Sequence, residues 1–338
     1  MMIRYFVKSY MLCILSLCLS ACHGDDEEMP TAKVETVQLI ISVPATSVGT
    51  RMGDPGTTVD EGADWDRLAV ILAYSDNSKV RTTTITQEQF NALPAYNGNT
   101  NFKLLAIEAE PGKVYIYGVT YSNDAAHNPD AAITNCMTNA EVQALTISNA
   151  YSENNGTIDY AKLVSVATGY YKGTGTTPAE FEIQEGVTSG VGNIPTMTLT
   201  RLAAKIDIQW DAADAYDQGY TDVKVTDFTY NGVENGQLFP DLSSATTATS
   251  KTWTFYNNSE ISQRNGRVYH YTFPDGKTAP SVTFNISANQ NGTTTTNKSY
   301  TMTFNDALQK ATWYKVNATI KGITGNGTIK LDMSGTGT

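Results

Sequence analysis

Apolar and polar positions in this chain alternate mostly with a period of two, beginning at residues 35–43. Val37, Leu39, Ile41 and Val43 point one way and Gln38 and Ser42 the other, with Ile40 as the exception. That is the pattern of a half-buried β-strand. Pro44 ends the strand, because proline cannot donate to a sheet ladder. A polar run follows, with Thr50, Arg51 and Met52 toward its end, and Gly53-Asp54-Pro55-Gly56 make a dense turn signal. An apolar first strand is thus joined to the rest of the chain by a soft tether, residues 44–54, that carries one arginine.

The same pattern continues downstream. Residues 67–74 (RLAVILAY) are apolar enough for a central strand. Residues 86–90 predict the start of a short helix, with Thr86 as N-cap and Gln89 in the capping-box position. Residues 102–109 and 114–121 flank Pro111-Gly112 and predict a hairpin. Residues 138–145 fit a helical turn or two, with Glu141 completing a box on Thr138. Strands are expected at 163–171 and 179–183. The longest patterned run is 197–210 (MTLTRLAAKIDIQW), in which Met197, Leu199, Ile206 and Ile208 carry the alternation. Residues 223–230 form a strand, and 233–239 return after Asn231-Gly232, a good hairpin turn. Residues 251–256 and 268–273 are aromatic-rich strands. Residues 281–288 and 298–304 flank Asn291-Gly292 as a long hairpin, and 313–320 alternate again. A last short strand, 328–333, sets Ile329, Leu331 and Met333 on one face. Short strands separated by turn signals, without βαβ alternation, predict an all-β sandwich with a few short helices. No short-period repeat is visible, only two sandwich-like halves.

Composition narrows the class. A length of 338 residues favours two domains. The net charge of −11 argues against a nucleic-acid partner. Charged residues are only 17%, and Tyr outnumbers Phe by 19 to 10, as in an exported all-β protein with long polar loops. The 41% hydrophobic content suffices for a core.

Residues 1–21 read as a signal peptide. Arg4 and Lys8 supply its positive start, and the apolar stretch 11–19 is too short to span a bilayer. Leu19-Ser20-Ala21-Cys22 resembles the lipobox of bacterial lipoproteins. That resemblance implies that Cys22 is lipidated (palmitate included), becomes the first mature residue and anchors the chain in the outer membrane. Asp25, Asp26, Glu27 and Glu28 make residues 22–36 an acidic linker. They also resemble the surface-export signal of Bacteroidia lipoproteins, which implies surface display. Cys13 and Cys18 leave with the leader, so Cys136 remains without a partner for a disulfide or a multi-cysteine metal site. It is expected to be a small buried hydrophobe.

The sequence offers no catalytic constellation, and no enzymatic activity, cofactor or metal is expected. His23, His127 and His270 have no partner at metal spacing and no triad-like neighbour. There is no GxSxG, Walker or dinucleotide motif. Gly173-Thr174-Gly175 and Gly190-Val191-Gly192 lack the following helix that a phosphate cradle needs. Glu108 and Glu110, beside the expected hairpin turn, read as solvated.

The run TLTRLAAKIDI resembles the signature of the fimbrillin family, the pilins of the type V fimbriae of Bacteroidia. In that family an arginine-leucine pair and an alanine-lysine pair sit where the first sandwich hands over to the second. Here they are Arg201-Leu202 and Ala204-Lys205. Lipobox, apolar first strand, arginine-bearing tether and this join occur in the family's order, over nearly the whole chain. The resemblance implies two tandem transthyretin-like, Greek-key sandwiches, residues 37–197 and 198–338. It further implies a fimbrial subunit serving in cell adhesion, assembled by protease-assisted strand exchange. An arginine-specific protease would cut after Arg51, leaving Met52 as the new N-terminus. The strand bearing Val37, Leu39, Ile41 and Val43 would leave, and another pilin's C-terminal strand would take its place. In this chain the matching donor strand carries Ile329, Leu331 and Met333. The alternative reading is a monomeric surface lipoprotein that binds glycans. Stalk, tip and anchor positions remain open, as does any receptor.

Overall fold

Strand β1 (Glu35–Ser42) forms where the first alternation predicts it, and the chain around it is all-β with a few short helices. The computed structural model describes residues 34–43, 65–123, 127–147, 152–154, 157–159, 161–186, 194–242, 248–254, 261–262, 264–290, 293–294, 298–321 and 329–335.

After β1 come β2 (Arg67–Tyr74), β3 (Val80–Thr86), α1 (Gln87–Ala92), β4 (Ala95–Tyr96), β5 (Asn99–Ala109) and β6 (Gly112–Tyr121). Then follow α2 (Asp130–Asn135), α3 (Asn139–Gln143), the small pair β7 (Ser152–Asn154) and β8 (Thr157–Asp159), and α4 (Ala161–Val164). β9 (Ala167–Tyr170), β10 (Phe181–Ile183), β11 (Thr196–Thr198) and β12 (Thr200–Arg201) complete this half. One sheet has the order β11-β1-β5-β4. The other has the order β12-β9-β6-β2-β3, with β10 also on β6. Their inner faces share one core: Val37, Leu39, Ile41, Leu105 and Ile107 from the first sheet meet Leu68, Val70, Leu72, Val114 and Ile116 from the second. Both predicted capping boxes form. Thr86 accepts from the Gln89 amide while Gln89 Oε1 accepts from the Thr86 amide, and Thr138 and Glu141 do the same at α3.

The second half runs through β13 (Ala204–Asp211), α5 (Ala213–Asp217), β14 (Tyr220–Asn235), β15 (Ala248–Thr254), β16 (Ile261–Ser262), β17 (Asn265–Thr272) and β18 (Ser281–Gln290). It ends with β19 (Thr293–Thr294), β20 (Lys298–Thr303), β21 (Trp313–Ile320) and β22 (Ile329–Gly335). One sheet is ordered β17-β13-β21-β22. The other is β15-β14-β18, with β20 on the far side of β18. Ile206, Ile208, Trp210, Phe228, Tyr230, Val282 and Phe284 lie in its core.

The two halves repeat one topology. β11-β1-β5 corresponds to β21-β13-β17, and β9-β6-β2-β3 to β20-β18-β14-β15. In each half the first strand has an antiparallel neighbour on one side and a parallel one on the other. A third apolar cluster joins the halves. Ala69, Ile71, Tyr117 and Val119 on the outer face of the first half's second sheet pack with Ile133, Val142 and Leu145, and with Leu238, Phe239, Tyr271 and Phe273 of the second half. β2 is therefore buried on both faces, which explains its unbroken apolar run. Cys136 lies in the same cluster, buried as expected.

Several expectations are corrected. β5 and β6 are not a hairpin: β5 pairs with β1 and β4, and β6 pairs with β2, β9 and β10. The turn at Pro111 is an arch between sheets, and both strands bury their inner faces in the same core. Glu110 at this corner is not merely solvated, since it forms ion pairs with Lys79 and Arg81. Asn231-Gly232 makes no turn either; β14 runs straight through it. Gly232 lies against the Tyr230 ring, where a Cβ would collide with the phenol, so the glycine is a clearance rather than a bend. The run 197–210 is three strands in three sheets, and 163–171 is part helix, with only β9 as strand.

Candidate functional site

The seat of β1 is the feature around which the first half is built. β1 pairs antiparallel with β5 from Glu35↔Ala109 to Ile41↔Lys103. On its other side it pairs parallel with β11, from Ile40↔Thr196 to Ser42↔Thr198. The Ile40 amide donates to the Pro195 carbonyl at 3.0 Å, and the Leu199 amide donates to the Ser42 carbonyl at 2.8 Å. β1 is thus an interior strand. Taking it out of its sheet would leave β5 and β11 as two facing edges with a slot between them.

Val37, Leu39 and Ile41 point into the core and are fully or almost fully buried, and Val43 is half-buried at the end of the row. Ile40, on the opposite face, is only 4% exposed. At the start of the strand Glu35 Oε1 accepts from the Gly186 amide at 2.8 Å.

Two glycines set the position of β11. Gly118 of β6 and Gly169 of β9 are register partners in the opposite sheet. Their missing side chains leave a trough into which residues 197–199 settle. A Cβ on Gly118 would come within 2.6 Å of Met197 Cε, and one on Gly169 would strike the Thr198 carbonyl. The chain then changes sheets between β11 and β12 and enters the second half. The place of β11 beside β1, apart from the rest of the run 197–210, and this trough escaped the sequence reading. The signal was a glycine inside each of two strands, which marks close approach of another backbone.

The join lies just beyond. Leu202 and Ala203 sit in the cluster between the halves. Lys205 is buried, its ammonium 4.9 Å from the Tyr269 ring centre, 5.3 Å from that of Tyr271 and 5.5 Å from that of Trp313. Next to it, the fully buried Asp207 accepts a two-pronged bond from Arg267, 2.7 Å at each oxygen, and a third from Trp313 Nε1 at 3.1 Å. Arg201 is also buried, at the end of β12.

The remaining expected site residues divide as follows. Cys22, Arg51 and Met52 lie outside the described residues, as does the tether after Val43. Ile329, Leu331 and Met333 fall in β22, which among the described residues is an edge strand paired only with β21, and which sets them opposite Ile320, Ala318 and Val316. Among the described residues no group of three or more His, Cys, Asp or Glu could hold a metal ion. His127 and His270 are both buried. The His270 ring lies 4.9 Å from that of Tyr230, and burial pushes its pKa down to about 3.

No protein-family model and no curated protein matches the sequence. Solved structures do. A candidate cell adhesion protein from Parabacteroides distasonis matches with a TM-score of 0.53 and 13% identity, over 89% of this chain and 96% of that one. One from Bacteroides eggerthii matches with a TM-score of 0.50 and 14% identity, again over 89% and 96%. The tip fimbrial protein Mfa3 of Porphyromonas gingivalis, solved with a C-terminal truncation, matches with a TM-score of 0.50 and 10% identity, over 89% of this chain and 99% of that one. At these identities the likeness is one of fold, and the chain has the fold of fimbrial and cell adhesion proteins of Bacteroidia.

Proposed function

We propose that this chain is a precursor subunit of a surface fimbria, serving in cell adhesion and joined to its neighbours by strand exchange. It is exported, held at the outer membrane through lipid on Cys22, and opened by an arginine-specific protease at Arg51, after which it passes into the fimbrium. The observation that carries this reading is the interior position of β1. It is the first strand, it is held on both sides, and the arginine-bearing tether follows it directly. Removing it would expose a slot with two unpaired edges, which is what strand addition requires. The fold shared with a tip fimbrial protein and with candidate adhesion proteins supports the same reading.

The energetics make cutting a commitment. Val37, Leu39, Ile40 and Ile41 are buried. At roughly 1.5–3 kcal/mol each they contribute on the order of 6–12 kcal/mol, comparable with the ~5–15 kcal/mol net stability of a whole domain. An opened first half therefore does not persist empty; it takes a strand, aggregates or unfolds. The test is size-exclusion chromatography before and after cutting at Arg51, with and without residues 324–338, and with Arg51→Ala as the uncut control. Uncut protein and the variant should stay monomeric, and cut protein should form ordered oligomers or capture another pilin's tail. Cut protein that loses β1, stays a folded monomer and keeps its melting temperature would refute strand exchange and favour a glycan-binding monomer.

A further inference from the structure

Ile40 breaks the alternation of β1 and is nonetheless buried, so at this position the strand is covered on both faces. It stands where the parallel ladder to β11 begins, with its amide bonded to Pro195. Any strand in this seat must run in the direction of β1 to be antiparallel to β5 and parallel to β11. It must also present apolar side chains at positions 37, 39, 40 and 41, three of them consecutive. The chain's own last strand, Ile329-Lys330-Leu331-Asp332-Met333-Ser334-Gly335, alternates without exception. Since side chains switch faces at every residue, the register that fills 37, 39 and 41 with Ile329, Leu331 and Met333 puts Asp332 in the place of Ile40. Sliding the tail two residues either way puts Lys330 or Ser334 there and leaves a glycine at 37 or 41. On the edge of its own sheet, Lys330 and Asp332 are the register partners of Thr319 and the exposed Asn317.

We propose that the seat of β1 discriminates against this chain's own tail at the Ile40 position and accepts a strand from a different subunit, one with the pattern apolar–x–apolar–apolar–apolar. The inference rests on the strand-exchange reading and adds to it that the subunit joins a mixed polymer rather than a homopolymer. The physical cause is desolvation: an aspartate or lysine side chain at a position that leaves Ile40 only 4% exposed loses most of its water, which opposes binding strongly.

The experiment is a competition. The starting state is protein freshly cut at Arg51 with the β1 fragment still seated, and displacement of that fragment is followed by native mass spectrometry as peptides are added. The peptides are residues 34–43, the same peptide with Ile40→Asp, the tail 327–336, and the tail with Asp332→Ile. The unmodified 34–43 peptide and the Asp332→Ile tail should displace the fragment at similar concentrations. The native tail and the Ile40→Asp peptide should need about tenfold more or worse. Equal competition by the native and Asp332→Ile tails would overturn the discrimination while leaving strand exchange intact. Failure of every peptide, including the strand's own sequence, would overturn both.

Discussion

Replacing Gly169 with alanine sets one methyl group against the chain that walls the seat of β1. An added Cβ would strike the Thr198 carbonyl oxygen and stand 3.0 Å from its carbon and 3.1 Å from Leu199 Cα. These are backbone atoms and cannot rotate away, so residues 198–199 must retreat as a unit. Overpacking of this kind costs about 1–3 kcal/mol. The glycine is in extended backbone, so alanine also returns about 0.4–1 kcal/mol by restricting the unfolded chain. The net expectation is a loss of roughly 1–2 kcal/mol. Gly118→Ala is the control. Its Cβ meets only the ends of the Met197 and Leu199 side chains, at 2.6 and 3.1 Å, which can swing aside, and its cost should be smaller. The local signature is sharper than the global one. The bonds from Ile40 to Pro195 and from Leu199 to Ser42 tie β1 to β11, and retreat of β11 should weaken both. Urea denaturation measures the stability change, and native-state hydrogen exchange reads the two amides. Unchanged protection of Ile40 and Leu199 in the Gly169 variant, or a larger cost for Gly118→Ala, would refute the account of β11 as a wall set by the glycine pair.

Three further outcomes are expected. The folded-state pKa of His270 lies near 3, below the ordinary value of 6.5, so as pH falls below about 6.5 the unfolded chain takes up a proton that the folded chain refuses. Stability is lost progressively from there toward pH 3, by about 2 kcal/mol between pH 7 and 5, and His270→Phe should flatten the denaturation-derived stability curve in that window by this amount. Arg267→Met strands the buried Asp207 carboxylate and should cost about 3–5 kcal/mol in denaturant titration, partly recovered by adding Asp207→Asn; a cost under about 1 kcal/mol would show that the pair is dispensable. Cys22→Ser should move the protein from the membrane to the soluble fraction on fractionation, since each buried lipid methylene contributes about 0.8 kcal/mol.

Much of the fold is visible in local patterns. The alternation of β1, the unbroken run of β2 and the two capping boxes depend on neighbours a few residues away, and the sequence shows them directly. What is hidden depends on distant partners. Pro111-Gly112 reads the same whether it turns within a sheet or arches between two, and the choice is made by the shared core beneath β5 and β6. Asn231-Gly232 has the chemistry of a turn, yet the Tyr230 ring requires the glycine for room. Lys205 and Asp207 look like the wet face of a half-buried strand, but aromatic rings and Arg267, from β17 and β21, cover them. For the site, the anchors Val37, Leu39 and Ile41 were legible by period alone. Ile40 was visible as an exception, but its meaning appears only once β11 is known to lie alongside it.

The placing of β1 between two neighbours also sets how its seat responds to force. Drawn along its own axis, a strand there must shear two ladders together, Glu35–Ala109 through Ile41–Lys103 on one flank and Ile40–Thr196 through Ser42–Thr198 on the other. A strand such as β22, laddered among the described residues to β21 alone, has an open side from which it can also be peeled away pair by pair. Tension along the interior seat is shared by two ladders, and tension along the edge by one. A filament jointed through such seats holds fast under a lengthwise pull and gives way first where a strand has only one neighbour.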